Sequence, residues 1–590
     1  MCGIAGIMLL NGQAVSGKVL EKMAQAIRHR GPDGVGIYTE DNIGLLNTRL
    51  AIIDIEGGRQ PFLDMAGNVL VANGEIYNDP TLRKALSDVD FRSGSDCETP
   101  LHLYARYGLN FARHLRGMYG LAIYDKAAQK LILSRDPYGI KQVYYVQTPD
   151  FFAFASEPQA LIAAGLADNR LFARARSELL QLQFTTGVDT IFADIKRLLP
   201  GQTLEVENCK ITASVYFRPH RQNTAGACRG DYETVFRQMD QRLRESVRLH
   251  MRSDAPTGLF LSGGIDSSAL LTIMSRQSEK PVVALTAAFP GAEKDESEKA
   301  CSVAQAAKAD HHLVEMTAKD FFNIAPRLAA ALDDPSADAS ALPLFHLSEA
   351  ASQHGLKVVL SGEGADELFG GYKRYRRAAW FFGLLRQKTR TRGVFSSLAT
   401  NGSLAAWRAG LARTEQIESG LRVSAMQALQ GIDCAEWLPN NLLLKLDRCL
   451  MAHGIEGRTP FLDPILSPFA YSLPEGFKVR NGLGKWMLRD WVSRNTAGID
   501  PWSKKQGFIP PVGHWISQYA PRIKPLLLSH PAMAELSLQP VIERVYADPA
   551  RHPQAAWSLL FYALWHTRHV LGSATEGPVD EVLALARRAA

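Results

Sequence analysis

Cysteine is scarce in this sequence. Seven of its 590 residues are cysteines, Cys2, Cys97, Cys209, Cys228, Cys301, Cys434 and Cys449. They are odd in number, widely scattered, and without the CxxC spacing of a zinc or redox site. A disulfide framework is therefore not expected, and reduced thiols fit a cytoplasmic protein. No uninterrupted apolar run approaches the ~18 to 20 residues needed to span a bilayer. The apolar start from Gly3 to Leu10 has no basic region before it and ends in the turn Asn11-Gly12, so it reads as a strand and not as an export signal. An excess of one charge is missing too. The net charge of +6, with 21% charged residues, is too mild to require a polyanionic partner. The basic stretches Tyr372–Arg377 and Arg386–Arg392 read as solvated helix and loop faces, to which we assign no function. Neither nucleic acid nor a membrane is an expected partner, and a homodimer is left open. Adjacent His311 and His312 point to opposite faces of a strand, which disfavours a metal site there.

What is present is length, a 46% hydrophobic composition, and two textures. The length suggests roughly two to four domains. The first 215 or so residues hold short strand-like runs at Ile4–Leu10, Val35–Tyr38, Ile43–Leu46, Val69–Ala72, Gly120–Tyr124, Lys130–Ser134, Val143–Tyr145 and Phe151–Ala155. Helical stretches near Gly17–Arg28 and Thr99–Tyr107 interrupt them, as in packed antiparallel sheets with helices. The polar segment Pro219–Gly230 reads as a linker. From Asp231 onward, helices alternate with buried strand candidates at Gly258–Leu261, Val282–Phe289, His311–Val314 and Lys357–Leu360. That order predicts a parallel sheet with its ligand at the carboxyl ends of the strands. Beyond Ala378 the chain reads as almost wholly helical, and the last fifteen or so residues are expected to fray.

The most specific local pattern is Leu261-Ser262-Gly263-Gly264-Ile265-Asp266-Ser267-Ser268. The glycines let the backbone approach a ligand closely, and the hydroxyls and free amides of a helix start can hold phosphate oxygens. Asp266 can share a Mg²⁺ with them. The pattern lacks the Gly-Lys-Ser/Thr ending that grips a terminal phosphate for transfer. It therefore favours attack at the α-phosphorus of ATP, with pyrophosphate leaving and an acyl adenylate as product.

At the other end, Cys2 follows Met1. Removal of the methionine would place a free α-amine, with a pKa near ~8, on the same residue as the thiol, where it can serve as the base for its own nucleophile. Four further motifs follow Met1-Cys2-Gly3-Ile4-Ala5-Gly6: Arg28–Gly34, Thr48–Asp54, Ala72–Asn78 and Gly94–Glu98 stand in the order found in class II glutamine amidotransferase domains. This part closely resembles that family, whose members hydrolyse glutamine to glutamate and ammonia through a cysteine thioester. The resemblance implies a fold of the Ntn-hydrolase type, an antiparallel αββα sandwich over residues 2–215. It makes Cys2 the nucleophile, with Asn73 and Gly74 as oxyanion donors. Arg49 would fork onto the glutamine carboxylate and Asp96 would receive its ammonium, while Leu50, Ala51, Ile52, Ile53 and Glu75 line the pocket. Arg30–Gly34 is read as a structural turn. Asn47-Thr48 departs from relatives, where a histidine is common.

The later half adds Val359–Tyr372, Leu446–Gly454 running on to Asp463, and Gly484–Arg489. With the glycine cradle these resemble the synthetase domain of glutamine-hydrolysing asparagine synthetases. The implied architecture combines an α+β domain with an α/β domain, the latter a parallel-sheet ATP-pyrophosphatase over 231–575 with a helical extension, joined by a linker at 216–230. The resemblance places Leu261, Ser262, Gly263, Gly264, Asp266, Ser267, Ala287, Ser361, Gly362 and Lys485 at ATP, and Asp266 and Asp366 at Mg²⁺. Glu363 would be the carboxylate that serves the adenylate step and takes protons from ammonia. A segment at 504–508 resembles one near the synthetase site, without readable chemistry. The implied reaction is glutamine-dependent amidation of a carboxylate, with aspartate the expected acceptor and a peptide or sugar-linked acid the alternative. A sheltered passage for ammonia, lined by small and apolar residues, should join the two sites. Two rivals stay open: a nucleic-acid-modifying ATP pyrophosphatase, for which no tRNA-reading module is visible, and a silent binding protein.

Overall fold

The structure is a computed structural model describing residues 2–207, 210–218, 230–291, 296–380, 388–398, 404–503 and 510–589. Cys209, Cys228, most of the expected linker, the start of the basic stretch at 386 and the segment at 504–508 lie outside the described residues.

The amino-terminal half builds two antiparallel sheets from β1 (Cys2–Leu9), β2 (Gly34–Glu40), β3 (Ile43–Arg49), β4 (Phe62–Leu63), β5 (Val69–Ile76), β6 (Gly117–Asp125), β7 (Lys130–Arg135), β8 (Tyr144–Gln147), β9 (Phe151–Ala155), β10 (Lys196–Arg197), β11 (Gln202–Glu207) and β12 (Lys210–Val215). One sheet has the order β10-β8-β9-β1-β3-β2 and the other β12-β11-β7-β6-β5-β4. Side-chain alternation explains why they stack. Ile4 and Met8 of β1, Leu45 of β3, Val69 and Val71 of β5 and Leu133 of β7 meet between the sheets. Their neighbours point outward: Ala5, Ile7 and Leu46 pack on Leu20 and Met23 of the helix Gly17–Ala26, and Leu70, Ala72 and Leu121 pack on the side of Leu101 in the helix Thr99–Tyr107. The result is the expected αββα sandwich.

The second half forms one parallel sheet from β13 (Thr257–Phe260), β14 (Val283–Ala288), β15 (Asp310–Glu315), β16 (Val358–Leu360) and β17 (Glu456–Arg458), in the order β15-β14-β13-β16-β17. The strand β17 was not foreseen. Three residues with two charges do not resemble a buried strand, yet Glu456 and Arg458 are fully buried and pair with each other at 2.5 Å. The strand order reverses between β13 and β16, and the crevice beyond that reversal is where an open α/β sheet binds its ligand.

Two further differences concern the chain's joints. Tyr216 and Phe217, at the start of the expected linker, are buried, and Tyr216 Oη donates to the Arg135 carbonyl at 2.6 Å. The expected fraying end is instead the helix Val579–Ala589, whose Val579, Val582 and Leu583 are fully buried, so packing extends beyond the expected boundary at 575. No helix among the described residues is long and apolar enough to cross a membrane. Leu45 lies between the two antiparallel sheets without solvent exposure. Leu45→Ala should cost about 2–5 kcal/mol, read as a lower midpoint for denaturant unfolding of the amino-terminal half.

Candidate active sites

Cys2 opens β1 and pairs in register with Arg49 at the end of β3. Its thiol-bearing residue is 7% exposed. The Cys2 backbone N–H donates to Asn73 Oδ1 at 3.2 Å, which turns the Asn73 amide nitrogen the other way. That Nδ2 is buried and has no hydrogen-bond partner among the described residues. An orphaned buried donor beside a thiol is the arrangement an oxyanion site requires. Gly74 must be glycine, because a Cβ there would come within 2.1 Å of the Met118 carbonyl.

Around this pair the remaining expected residues converge. Asp96, 2% exposed, accepts the Ile76 N–H at 2.5 Å. Burial pushes its carboxyl up to about 6, against the pull of that N–H. Glu75 is buried beside it, raised well above the usual carboxyl range by burial and by Asp96, and meets Arg458 at 3.2 Å. Arg49 is anchored by the carbonyls of Ile55 and Asp54 at 2.8 and 2.6 Å, which orients the guanidinium while leaving it further N–H groups. Leu50, Ala51 and Ile52 are buried and Ile53 is half-buried. Ala51 N–H donates to Asp33 at 2.8 Å, and the Ile52 carbonyl accepts from Asp254 N–H across the two halves at 3.0 Å.

The second group lies at the strand reversal. Leu261 to Gly264 leave β13 and feed the helix Ile265–Gln277, with Gly264 as its cap. Ser262 and Ser267 hydroxyls lie 3.2 Å apart, and Gly264 N–H donates to Ser262 Oγ at 3.3 Å. Gly263 has φ +66°, and a Cβ there would meet Ala300 N at 2.8 Å. From β16, Ser361 and Gly362 run so close to the first loop that a Cβ on Gly362 would sit 2.9 Å from Asp266 Cβ. Lys485 Nζ meets Asp266 at 2.6 Å and Asp366 at 2.8 Å. A cleft of about 600 Å³ opens here, lined by Ser262, Gly263, Asp266, Lys485 and Arg489. Ala287 lies buried near the carboxyl end of β14, one strand over. Glu363 stands half-buried in the loop after β16. Burial would lower the Lys445 ammonium, but Asp338, 2.7 Å away, and then Glu363 raise it above its usual value.

The chain matches the asparagine synthase pattern over residues 238–567 and the glutamine amidotransferase domain over residues 1–217. The chain belongs to the asparagine synthase family. It is 28% identical to asparagine synthetase (glutamine-hydrolyzing) 1 of Bacillus subtilis, over 97% of this chain and 97% of that protein. It is 27% identical to asparagine synthetase B (glutamine-hydrolyzing) of Escherichia coli, over 98% of this chain and 93% of that protein. A relative with a different name is amidase chry2 of Gibberella zeae, 29% identical over 81% of this chain and 84% of that one. This asparagine synthase family member is a ligase that uses ATP and takes its nitrogen from glutamine.

The residue that sequence reasoning undervalued is Arg30, read as part of a turn. It is fully buried, and its Nε donates to the Cys2 carbonyl at 3.3 Å. Its Nη1 meets Glu157 at 2.7 Å and Asp447 at 2.8 Å. Nothing in Arg28-His29-Arg30 marks the third residue as interior, because the burial comes from a helix more than 400 positions later. Lys445 and Arg489 were likewise invisible as site residues. The turn reading of Gly31 itself holds: a Cβ there would meet the Thr48 carbonyl at 2.2 Å.

A Cβ at Gly371 would fall 1.8 Å from Asp366 Oδ1 and 2.5 Å from Lys485 Cε. Gly371→Ala should lower ATP-dependent amide formation by about 10²-fold or more, since misplacement by ~1 Å is that costly. Glutamine hydrolysis, measured as glutamate release without ATP, should stay within a few-fold of the parent.

Proposed function

We propose that the chain amidates aspartate to asparagine, with AMP, pyrophosphate and glutamate as co-products. Cys2 attacks the glutamine carboxamide, and its own α-amine, freed by loss of Met1, takes the thiol proton. Asn73 Nδ2 and Gly74 N–H stabilise the tetrahedral oxyanion, and Arg49 and Asp96 hold the two charged ends of glutamine in the pocket of Leu50 to Ile53 and Glu75. At the second site, Ser262 to Ser267 with Leu261, Ser361 and Gly362 cradle ATP, and Ala287 meets the adenine by its backbone. Glu363 assists the adenylate step and accepts protons from attacking ammonia. Asp266 and Asp366 would hold Mg²⁺: two hard carboxylates converging on one ammonium already form a cationic position, and triphosphate oxygens would complete the set. The ion would screen triphosphate charge. The five described cysteines are all free thiols, which supports a reducing compartment such as the cytoplasm.

One observation carries the reading of two coupled sites. The helix Leu443–Met451 reaches both, with Asp447 joined through Arg30 to the Cys2 carbonyl and Lys445 held beside Glu363. Ammonia crossing this buried layer would be kept from bulk water. The layer combines ion pairs with the buried apolar side chains of Leu446 and Leu450 on the same helix.

The amidase relative favours a second reading, in which another carboxylate is the acceptor. Following glutamine-dependent AMP release over a panel of carboxylates separates the two: product from another acid and none from aspartate would overturn the asparagine assignment. Cys2→Ala should abolish glutamine-dependent product formation and leave activity with added ammonia. Asp96 must be ionised to bind an ammonium, and its carboxyl titrates at about 6. Its binding contribution is therefore present above that pH and lost below it, so KM for glutamine should rise about tenfold per pH unit below ~6. A flat KM from pH 7 to 5 would remove Asp96 from that role.

A further inference from the structure

A cavity of about 640 Å³ beside the nucleotide cleft is unused by anything described above. Among the described residues, Lys373, Arg376 and Arg377 of the helix Lys373–Trp380 line it, together with Arg480, Asn481 and Gly482 of the adjoining hairpin. Positions 373, 376 and 377 share one helix face. Arg374 leaves that face and pairs with Asp433 at 2.7 Å. Lys373 and Arg377 are exposed, as their sequence suggested, but the fold adds Arg480 opposite them and encloses a space between. No acidic side chain is among the described lining residues. Arg376 Nη1 donates to the Gly482 carbonyl at 2.9 Å, while its buried Nε has no hydrogen-bond partner among the described residues. Four cations around one space without a carboxylate repel each other, and a multiply charged anion relieves that repulsion.

Position selects the anion. The hairpin formed by Val479–Arg480 and Leu483–Gly484 runs directly into Lys485, which holds Asp266 and Asp366. Gly484 lies against the Gly370 carbonyl, so close that a Cβ there would stand 2.3 Å away. Burial lowers the Arg489 guanidinium from its usual range and, although Asp266 opposes this, the charge of Arg376 lowers it further, so the two cavities share one field. The cavity therefore adjoins the phosphate end of the cleft.

We propose that this cavity is a condensed-phosphate subsite that receives pyrophosphate as it leaves the nucleotide cleft. The proposal rests on the reading that pyrophosphate is a product. The lining cations draw the leaving group sideways, past Gly371 and the hairpin, and so free Lys485 for the next ATP.

The test is calorimetric titration of inorganic pyrophosphate into the purified full chain, comparing the parent with a double variant, Lys373→Gln with Arg377→Gln. Both residues are exposed, so the fold should tolerate their loss. Pyrophosphate affinity should weaken about tenfold, with a shallower salt dependence, while KM for ATP moves less than about twofold. A second double variant, Arg377→Gln with Arg480→Gln, should reproduce the loss. Pyrophosphate affinity unchanged within twofold in both variants would overturn the proposal. So would a parallel loss of ATP and pyrophosphate binding, or a rise confined to the acceptor's KM, which would assign the cavity to the acceptor. Titration of added pyrophosphate needs no turnover, so its outcome is separate from that of the acceptor panel. A parent protein that releases no pyrophosphate with any acceptor would remove the functional reading and the product role together.

Discussion

The Arg30 guanidinium is the contact on which the rest of the molecule depends. It is buried between the two halves, and it bonds to the Cys2 carbonyl, Glu157 and Asp447. Burial alone would raise the Asp447 carboxyl, but Arg30 and Lys141 hold it below its usual range. Arg448 extends the same layer to Asp333 at 3.0 Å and to the Ser156 carbonyl at 3.2 Å. Removing one partner from such a buried pair typically costs ~3–5 kcal/mol, because the other charge is stranded. Arg30 thus ties the two halves together, and through it the helix Leu443–Met451 is joined to the Cys2 carbonyl.

Similar pairs recur along the joint. Arg116 grips Asp463 at 2.8 Å and Glu245 at 2.7 Å. Arg197 forks onto Asp334 at 2.7 and 2.8 Å, and Tyr144 donates to the same carboxylate at 2.8 Å. Arg458 reaches from β17 to Glu75, which is buried beside Asp96. An apolar joint of this area would slide more easily. Directional pairs fix register as well as proximity.

The two sites use burial in opposite ways. Near Cys2 it raises carboxyls: Asp96 rises to about 6 and Glu75 rises too, so charges are costly there until a substrate brings its own. At the strand reversal, charge is concentrated and compensated, with Lys485 between Asp266 and Asp366. The first environment suits recognition of a zwitterion, and the second suits a polyphosphate. Each rests on local structure: an orphaned Asn73 side-chain nitrogen beside β1, and two glycine loops leaving adjacent parallel strands.

Local pattern by itself marked most of the strands and the two glycine loops, because periodicity and glycine placement act over a few residues, whereas the αββα arrangement was implied by the family resemblance. Cys2, Asn73, Asp96 and Asp266 could be singled out for the same reason, each standing inside a short ordered motif. Tertiary structure alone decided what Arg30, Lys445 and β17 do, and it placed Lys373 and Arg377 opposite Arg480. Their partners lie hundreds of positions away or across a joint between domains. A charged residue's own neighbours in sequence do not reveal whether water or an opposite charge will surround it, since burial and pairing arise only when the two halves meet.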